Sequence, residues 1–133
     1  MPESSSFEYA IVRVVPRVER GEQINAGVIL YCRAREFLAA TVELDRARLL
    51  ALAPEADVAL IESHLDSVAR ICRGGADAGP IGALSQAERF HWLTAPRSTI
   101  IQTSPVHSGR SRTPEELLEH LLDTMVRIRI DSR

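Results

Sequence analysis

The stretch YAIVRVVPRVERGEQINAGVILYC, residues 9–32, decides the fold of this chain. Residues 9–15 are rich in β-branched side chains and stop at Pro16, which predicts a strand. Residues 24–33 predict a second strand. Because the centre of this strand is apolar on both faces, it should lie inside a sheet that is covered on both sides. The stretch FLAATVEL at residues 37–44 predicts a third strand. Short connections between successive strands indicate an antiparallel meander.

Helical periodicity begins after the third predicted strand. Asp45 predicts the N-cap of a short helix that ends near Leu52, and Asp57 predicts the N-cap of a longer helix over residues 58–73. Residues 113–116, TPEE, place a hydroxyl, a proline and a glutamate where the start of a helix favours them, which predicts a third helix. The apolar positions of these elements predict a buried core of Val28, Leu30, Ile61, Leu65, Leu118 and Leu121.

Two further strands are predicted at residues 89–95 and 99–103, with loops over residues 74–88 and 104–112. The predicted fold class is therefore α+β: a mostly antiparallel sheet of about five strands with about three helices packed on one face. The length of 133 residues is that of one ordinary domain, so we expect residues 1–133 to form a single domain.

The composition excludes several classes of function. The chain has 45% apolar and 26% charged residues, which is typical of a folded globular protein. All 16 basic residues are arginine, so no lysine is available as a Schiff-base former or as the phosphate ligand of a P-loop. The net charge of -2 leaves no overall basic field, which argues against nucleic acid as a partner.

Three further features of the sequence bear on cofactors and on where the protein is located in the cell. Cys32 and Cys72 lie in apolar runs and form no CxxC pair, so we expect buried free thiols. The four histidines lack metal-binding spacing and no glycine-rich cofactor motif occurs, so we expect neither a metal nor a cofactor. The N-terminus is polar and no apolar run is long enough to cross a bilayer. We therefore expect a cytoplasmic protein without membrane contact.

Residues 89–114 contain no Asp or Glu, but they contain four arginines, two histidines and eight serines or threonines. Guanidinium and hydroxyl groups without a competing carboxylate suit a phosphate or carboxylate ligand, so this stretch predicts an anion-binding site. The alternative is an exposed hairpin and loop whose arginines pair with acids elsewhere in the chain.

A second unusual stretch, residues 17–27, connects the first two predicted strands. Gly21 should make the turn between them. Asn25 and Gly27 interrupt an apolar strand: the amide needs hydrogen-bond partners, and the glycine allows a bulge or a close backbone approach. The alternative is a charged hairpin tip whose asparagine bonds only to the backbone.

Two long strings carry a resemblance to a known family: residues 9–32, quoted above, and PIGALSQAERFHWLTAPRSTIIQTSPVHSG at residues 80–109. The chain resembles a bacterial family of uncharacterised proteins, the domain of unknown function DUF3037, over roughly residues 7–126. The resemblance implies a small single-domain bacterial protein and carries no activity with it. Genes for a HipA-like kinase near some family members imply a protein partner of that kind.

These observations together predict an accessory or protein-interaction domain with an anion-binding groove between residues 17–25 and 97–107. Arg20 and Arg97 would hold the charge, and His107 would close the site. The full set of candidate ligand residues is Arg20, Glu22, Asn25, Arg97, Ser98, Thr99 and His107.

The alternative is an enzyme of the hydrolase or transferase type that acts on a phosphorylated or nucleic-acid substrate. In that case Glu22 or His107 would be the general base. The two hypotheses differ in geometry: convergence of Glu22, Asn25, Arg97 and His107 in one cleft would favour the enzyme.

Overall fold

A computed structural model describes residues 3–128. Its strands are β1 (Ser5–Val14), β2 (Ile24–Cys32), β3 (Phe37–Val42), β4 (Ile101–Thr103) and β5 (His107–Ser111). Its α-helices are α1 (Arg46–Leu52), α2 (Val58–Arg73), α3 (Gln86–Thr94) and α4 (Pro114–Met125). Short 3-10 turns occupy Arg33–Arg35 and Ala76–Ala83.

The strands form one antiparallel sheet in which β1 is the central element. β2 pairs with one edge of β1, and β3 continues the sheet beyond β2. The other edge of β1 is shared by two short strands placed end to end: β5 pairs with Ser5–Tyr9 and β4 with Val12–Val14. The predicted α+β class and the antiparallel sheet of five strands are confirmed.

Helices cover both faces of this sheet. On the first, the α2 face, β-strand residues such as Val12 and Ile29 pack against Leu65 of α2 and Phe90 of α3. On the second, the α4 face, Val28 packs in a separate cluster that includes Leu118, Leu121 and Leu122 of α4. The prediction that the helices share one face is therefore wrong, because β2 is apolar on both sides and each side must be covered. All six residues predicted for the core are buried.

The predicted helix starts at Asp45 and Asp57 are confirmed. Their carboxylates accept hydrogen bonds of 3.1 Å from the backbone N–H groups of Arg48 and Leu60, as N-caps do. The start of α4 differs in detail from the prediction. The Thr113 hydroxyl donates to the Glu116 carboxylate at 3.0 Å and does not cap the backbone.

Gly27 has the close backbone approach that its place in β2 predicts. A Cβ atom at this position would lie 2.8 Å from the carbonyl oxygen of Thr41 and 2.9 Å from a methyl group of Val42, both on β3. The pairing of β1 with β2 also shifts register between Val12 and Arg13, next to the Val12–Gly27 pair. The glycine is therefore both close to β3 and beside a bulge.

Two predictions for the second half of the chain are wrong. The strand predicted at residues 89–95 is instead the greater part of helix α3, which ends at Thr94, because Ser85 and Glu88 build a capping box that starts a helix. The Ser85 hydroxyl accepts from the Glu88 N–H at 3.1 Å, and the Glu88 carboxylate accepts from the Ser85 N–H at 3.2 Å. The predicted loop over residues 104–112 contains β5.

No helix within residues 3–128 has both the length and the apolar character that a bilayer crossing requires. The prediction of one domain extends over residues 1–2 and 129–133, which lie outside the described residues, and it stays a prediction.

Candidate functional site

A cavity of about 570 Å³ opens beside the α2 face, where the loop after α3 meets α2. This volume lies in the range of small-molecule sites. We call it the Arg97 cavity. Its lining residues come from the β1–β2 turn, α2, the end of α3 and the following loop: Val18, His64, Ser67, Val68, Ile71, Trp92, Leu93, Arg97, Ser98, Thr99, Ile100 and Ile101.

The walls of the Arg97 cavity are mostly apolar and continue the main core. Val68 and Leu93 are buried members of the core on the α2 face, and Ile71, Ile100 and Ile101 pack against it. No Asp or Glu is among the lining residues. The cavity therefore offers an apolar body with a few polar groups, and its charge is positive because of Arg97.

Arg97 is held in place by α3. Its guanidinium carbon lies 4.5 Å from the centre of the Trp92 ring, and one guanidinium nitrogen donates a hydrogen bond to the Trp92 carbonyl oxygen. Stacking on the ring restrains the side chain without neutralising it. Within residues 3–128, Arg97 forms no ion pair with a carboxylate.

Hydroxyl groups beside Arg97 differ in what they can still bind. The Thr99 hydroxyl donates to the carbonyl oxygen of Ile101 at 2.7 Å, so its proton is already used. Ser98 is exposed and its hydroxyl has no hydrogen-bond partner in the part of the chain that the structure describes. Arg97 and Ser98 are therefore two adjacent groups at this cavity that can donate to a negatively charged ligand.

Arg20 and Glu22 are neighbours, but they lie apart from Arg97. The Arg20 guanidinium donates to the Glu22 carboxylate at 2.5 Å, and this hydrogen bond holds the pKa of Glu22 below its usual value. Arg20 lines a different cavity, of about 460 Å³, formed with Arg17 and residues 52–56. Its charge is matched by Glu22, in contrast to that of Arg97.

Asn25 and His107, the remaining candidates, each contact a different part of the fold. The Asn25 amide donates to the carbonyl oxygen of Met125 at 2.9 Å and so ties β2 to the end of α4. The His107 ring, on β5, lies 5.3 Å from the Tyr9 ring of β1. Within residues 3–128, no hydrogen bond, ion pair or ring contact joins any two of Glu22, Asn25, Arg97 and His107. The structure thus brings Arg97, Ser98 and Thr99 together and leaves the other candidates elsewhere.

The acid-free stretch does not form one surface. Arg89 is buried and donates to three main-chain carbonyl oxygens, so its role is structural. Arg97 faces the cavity described above. Arg110 lies on β5 and donates to Ser4 and Ser6 at the start of β1.

Nothing in the sequence marks His64 and Ser67 as residues of a binding site, although both line the Arg97 cavity. They come from the middle of α2, about thirty residues before Arg97, and reach the cavity only because α2 packs beside β4. Among the described residues, no three His, Cys, Asp or Glu side chains are grouped so that they could hold a metal ion.

The fold and the cavity define a class: a small α+β domain with an apolar, positively charged cavity beside an open antiparallel sheet. Within that class the chain belongs to the family described as protein of unknown function (DUF3037), whose model matches residues 9–126. This confirms the resemblance. No curated protein and no solved structure matches the chain.

Proposed function

We propose that this protein is a non-catalytic binding domain and that the Arg97 cavity takes a small amphipathic anion. One observation carries the proposal: an apolar cavity of about 570 Å³ contains a guanidinium without a carboxylate partner, and no acid lines it. An apolar ligand body would replace water against Val68, Leu93 and Ile100. Its anionic group would accept hydrogen bonds from Arg97 and Ser98.

The geometry gives less support to the alternative, an enzyme with Glu22 or His107 as general base. The Glu22 carboxylate is engaged by Arg20, and its lowered pKa makes it a weaker base. The His107 ring, on β5, contacts the Tyr9 ring, and neither residue lines the Arg97 cavity. A HipA-like kinase as partner, and a cytoplasmic location, stay predictions.

The proposal is tested with three ligands: octyl phosphate, inorganic phosphate and octanol. Together they separate the contribution of the anionic group from that of the alkyl tail. Calorimetric titration should show that octyl phosphate binds more tightly than either part alone. In a series of alkyl phosphates, each added methylene should tighten binding about fourfold, since burying one CH₂ is worth about 0.8 kcal/mol.

Three variants assign the binding to the cavity. For the binding that depends on tail length, Arg97→Ala should abolish the advantage of octyl phosphate over octanol, and Arg97→Lys should reduce it because lysine lacks the planar guanidinium group. Arg20→Ala is the matched control, since Arg20 is paired with Glu22 in a different cavity. If Arg97→Ala binds octyl phosphate as the parent does, or if tail length has no effect, the proposal is wrong.

A further inference from the structure

Within residues 3–128, Arg110 donates only to neutral oxygens, which lie at the N-terminal end of β1. Its Nε atom donates to the Ser4 hydroxyl at 3.2 Å, one terminal nitrogen to the Ser6 hydroxyl at 3.1 Å, and the other to the Ser4 carbonyl at 2.8 Å. Ser6 and Arg110 are direct partners in the pairing of β1 with β5, so the sheet itself fixes this arrangement. We infer that Arg110, Ser4 and Ser6 form a binding site for a phosphate group, separate from the Arg97 cavity.

The charge around Arg110 is not compensated. Arg33 lines the same open cavity, of about 700 Å³, and Glu3 is the one acid among its lining residues. Arg35, next to it, donates to the Ser5 hydroxyl at 3.1 Å and to the Glu3 carbonyl oxygen. Within residues 3–128, none of these three arginines forms an ion pair with a carboxylate. Three guanidinium groups with one acid attract an anion.

The hydroxyl groups keep the capacity that a phosphate needs. Ser4, Ser5 and Ser6 each accept a hydrogen bond from an arginine, and their hydroxyls donate none in the described part of the chain. A hydroxyl that accepts one bond can still rotate its proton toward a ligand oxygen. Arg110 uses three of its five N–H groups on serine oxygens and so keeps two for a ligand.

This combination selects a phosphate dianion over a carboxylate. The hydroxyls of Ser4 and Ser6 lie beside the planar guanidinium of Arg110 in one cavity, and this set of donors suits a tetrahedral group with three terminal oxygens. The cavity is open, its lining consists mainly of serines and arginines, and it has less apolar surface than the Arg97 cavity. The ligand is therefore inorganic phosphate or the phosphate of a small monoester, and an alkyl tail should add nothing here.

Titration followed by heteronuclear NMR tests the site. Inorganic phosphate and glycerol phosphate are added at constant ionic strength, with chloride as the reference anion. We expect saturable shifts of the Ser4 and Ser6 amide signals and of the Arg110 Nε signal. Binding of both compounds indicates that the phosphate group is recognised, whereas binding of inorganic phosphate alone restricts the ligand to the free ion. Shifts that do not saturate, or that chloride reproduces, would overturn the inference.

Variants separate a site from general charge attraction. Arg110→Gln should weaken phosphate binding by more than about tenfold, because the charge-assisted bonds are lost. The double variant Ser4→Ala with Ser6→Ala keeps every charge and should also weaken binding, so it tests the site if the arginine variant folds poorly. Arg112→Gln, which changes the charge equally at an exposed neighbour, should have little effect. An equal loss in Arg112→Gln would show nonspecific attraction and overturn the inference.

The two proposals fail independently. Arg97→Ala should leave phosphate binding at Arg110 unchanged, and Arg110→Gln should leave the tail-length dependence of alkyl phosphates unchanged. If Arg97→Ala removes the phosphate-induced shifts at Ser4 and Ser6, the separate site at Arg110 does not exist.

Discussion

The Arg89 side chain donates a hydrogen bond of 2.7 Å to the carbonyl oxygen of Cys72, one residue before the end of α2. The same nitrogen donates to Ile71 at 2.8 Å, and the Nε atom donates to Leu84 at 3.0 Å. Arg89 is 8% exposed. Its positive charge thus lies at the negative end of the α2 dipole. Arg89 gives the Cys72 carbonyl a donor and gives the Ile71 carbonyl a second one, since Ile71 also accepts from the Gly74 N–H at 3.1 Å.

Arg89→Met should destabilise the protein by about 2–4 kcal/mol, because the buried Cys72 carbonyl loses its donor and the Ile71 and Leu84 carbonyls each lose a charge-assisted hydrogen bond. Arg89→Lys should cost less, since the ammonium keeps the charge at the helix end but cannot reach all three oxygens. Urea denaturation measures both. The control is Arg112→Met at an exposed position, where we expect a change within about 0.5 kcal/mol. An equal effect of the two methionine substitutions would contradict the role given to Arg89.

Leu121→Ala should cost about 2–5 kcal/mol, because Leu121 is buried between α4 and the sheet and its loss leaves a cavity. Leu60→Ala is the matched control: the same change at a residue of α2 that is 46% exposed should have a small effect. Denaturant melts of both variants check this. A loss below about half a kilocalorie for Leu121→Ala would mean that α4 does not pack on the sheet as described.

Gly27→Ala and Gly21→Ala should both destabilise, for different reasons. At Gly27 the added methyl group meets the backbone of β3 at 2.8 Å, so the strands must move apart, and we expect about 1–3 kcal/mol. At Gly21 there is free space but φ is +71°, so the cost is backbone strain of about 1 kcal/mol. Thermal or urea melts that gave Gly21 the clearly larger loss would contradict the close approach of β2 and β3.

Stability should fall in alkaline solution because of Cys72. Burial raises the pKa of this thiol to about 12, from a usual value of 9.0. The unfolded chain therefore releases the thiol proton before the folded chain does, and folding stability decreases as pH rises between these two values. The largest slope is about 1.4 kcal/mol per pH unit. Urea melts across this range should show a steeper loss for the parent than for Cys72→Ala; parallel curves would contradict the prediction.

Local chemistry made half of the fold predictable. Asp45 and Asp57 mark the starts of α1 and α2 because an N-cap is satisfied within three residues, and Gly74 ends α2 with φ of 74°. The start of α3 was just as readable, because Ser85 and Glu88 stand three residues apart. A strand over residues 89–95 is predicted only if residues 74–88 are taken as a loop, which leaves out the capping box at Ser85.

Other features could not be predicted from the sequence. β5 is short and polar, and it is a strand only because β1 offers an unpaired edge between Ser5 and Tyr9. The candidate site, too, could be predicted only in part from the sequence. Arg97, Ser98 and Thr99 are adjacent in sequence and stay together, whereas the groups that complete the cavity come from α2. The sequence separation of Arg20 and His107 gave no measure of their distance from Arg97.

Strand β1 pairs with other strands along both of its edges, and this has a consequence for the synthesis of the protein. The first edge of β1 is completed by β2 soon after it leaves the ribosome, but its second edge is completed only by residues 101–111. The hydrogen bond from the Ile11 amide to the Ser104 hydroxyl spans 93 residues. Until that segment emerges, a long strand rich in Ile and Val is left with unpaired backbone groups, which invites pairing with other chains. The second edge of β1 is therefore the place where a partly synthesised chain can pair with its neighbours.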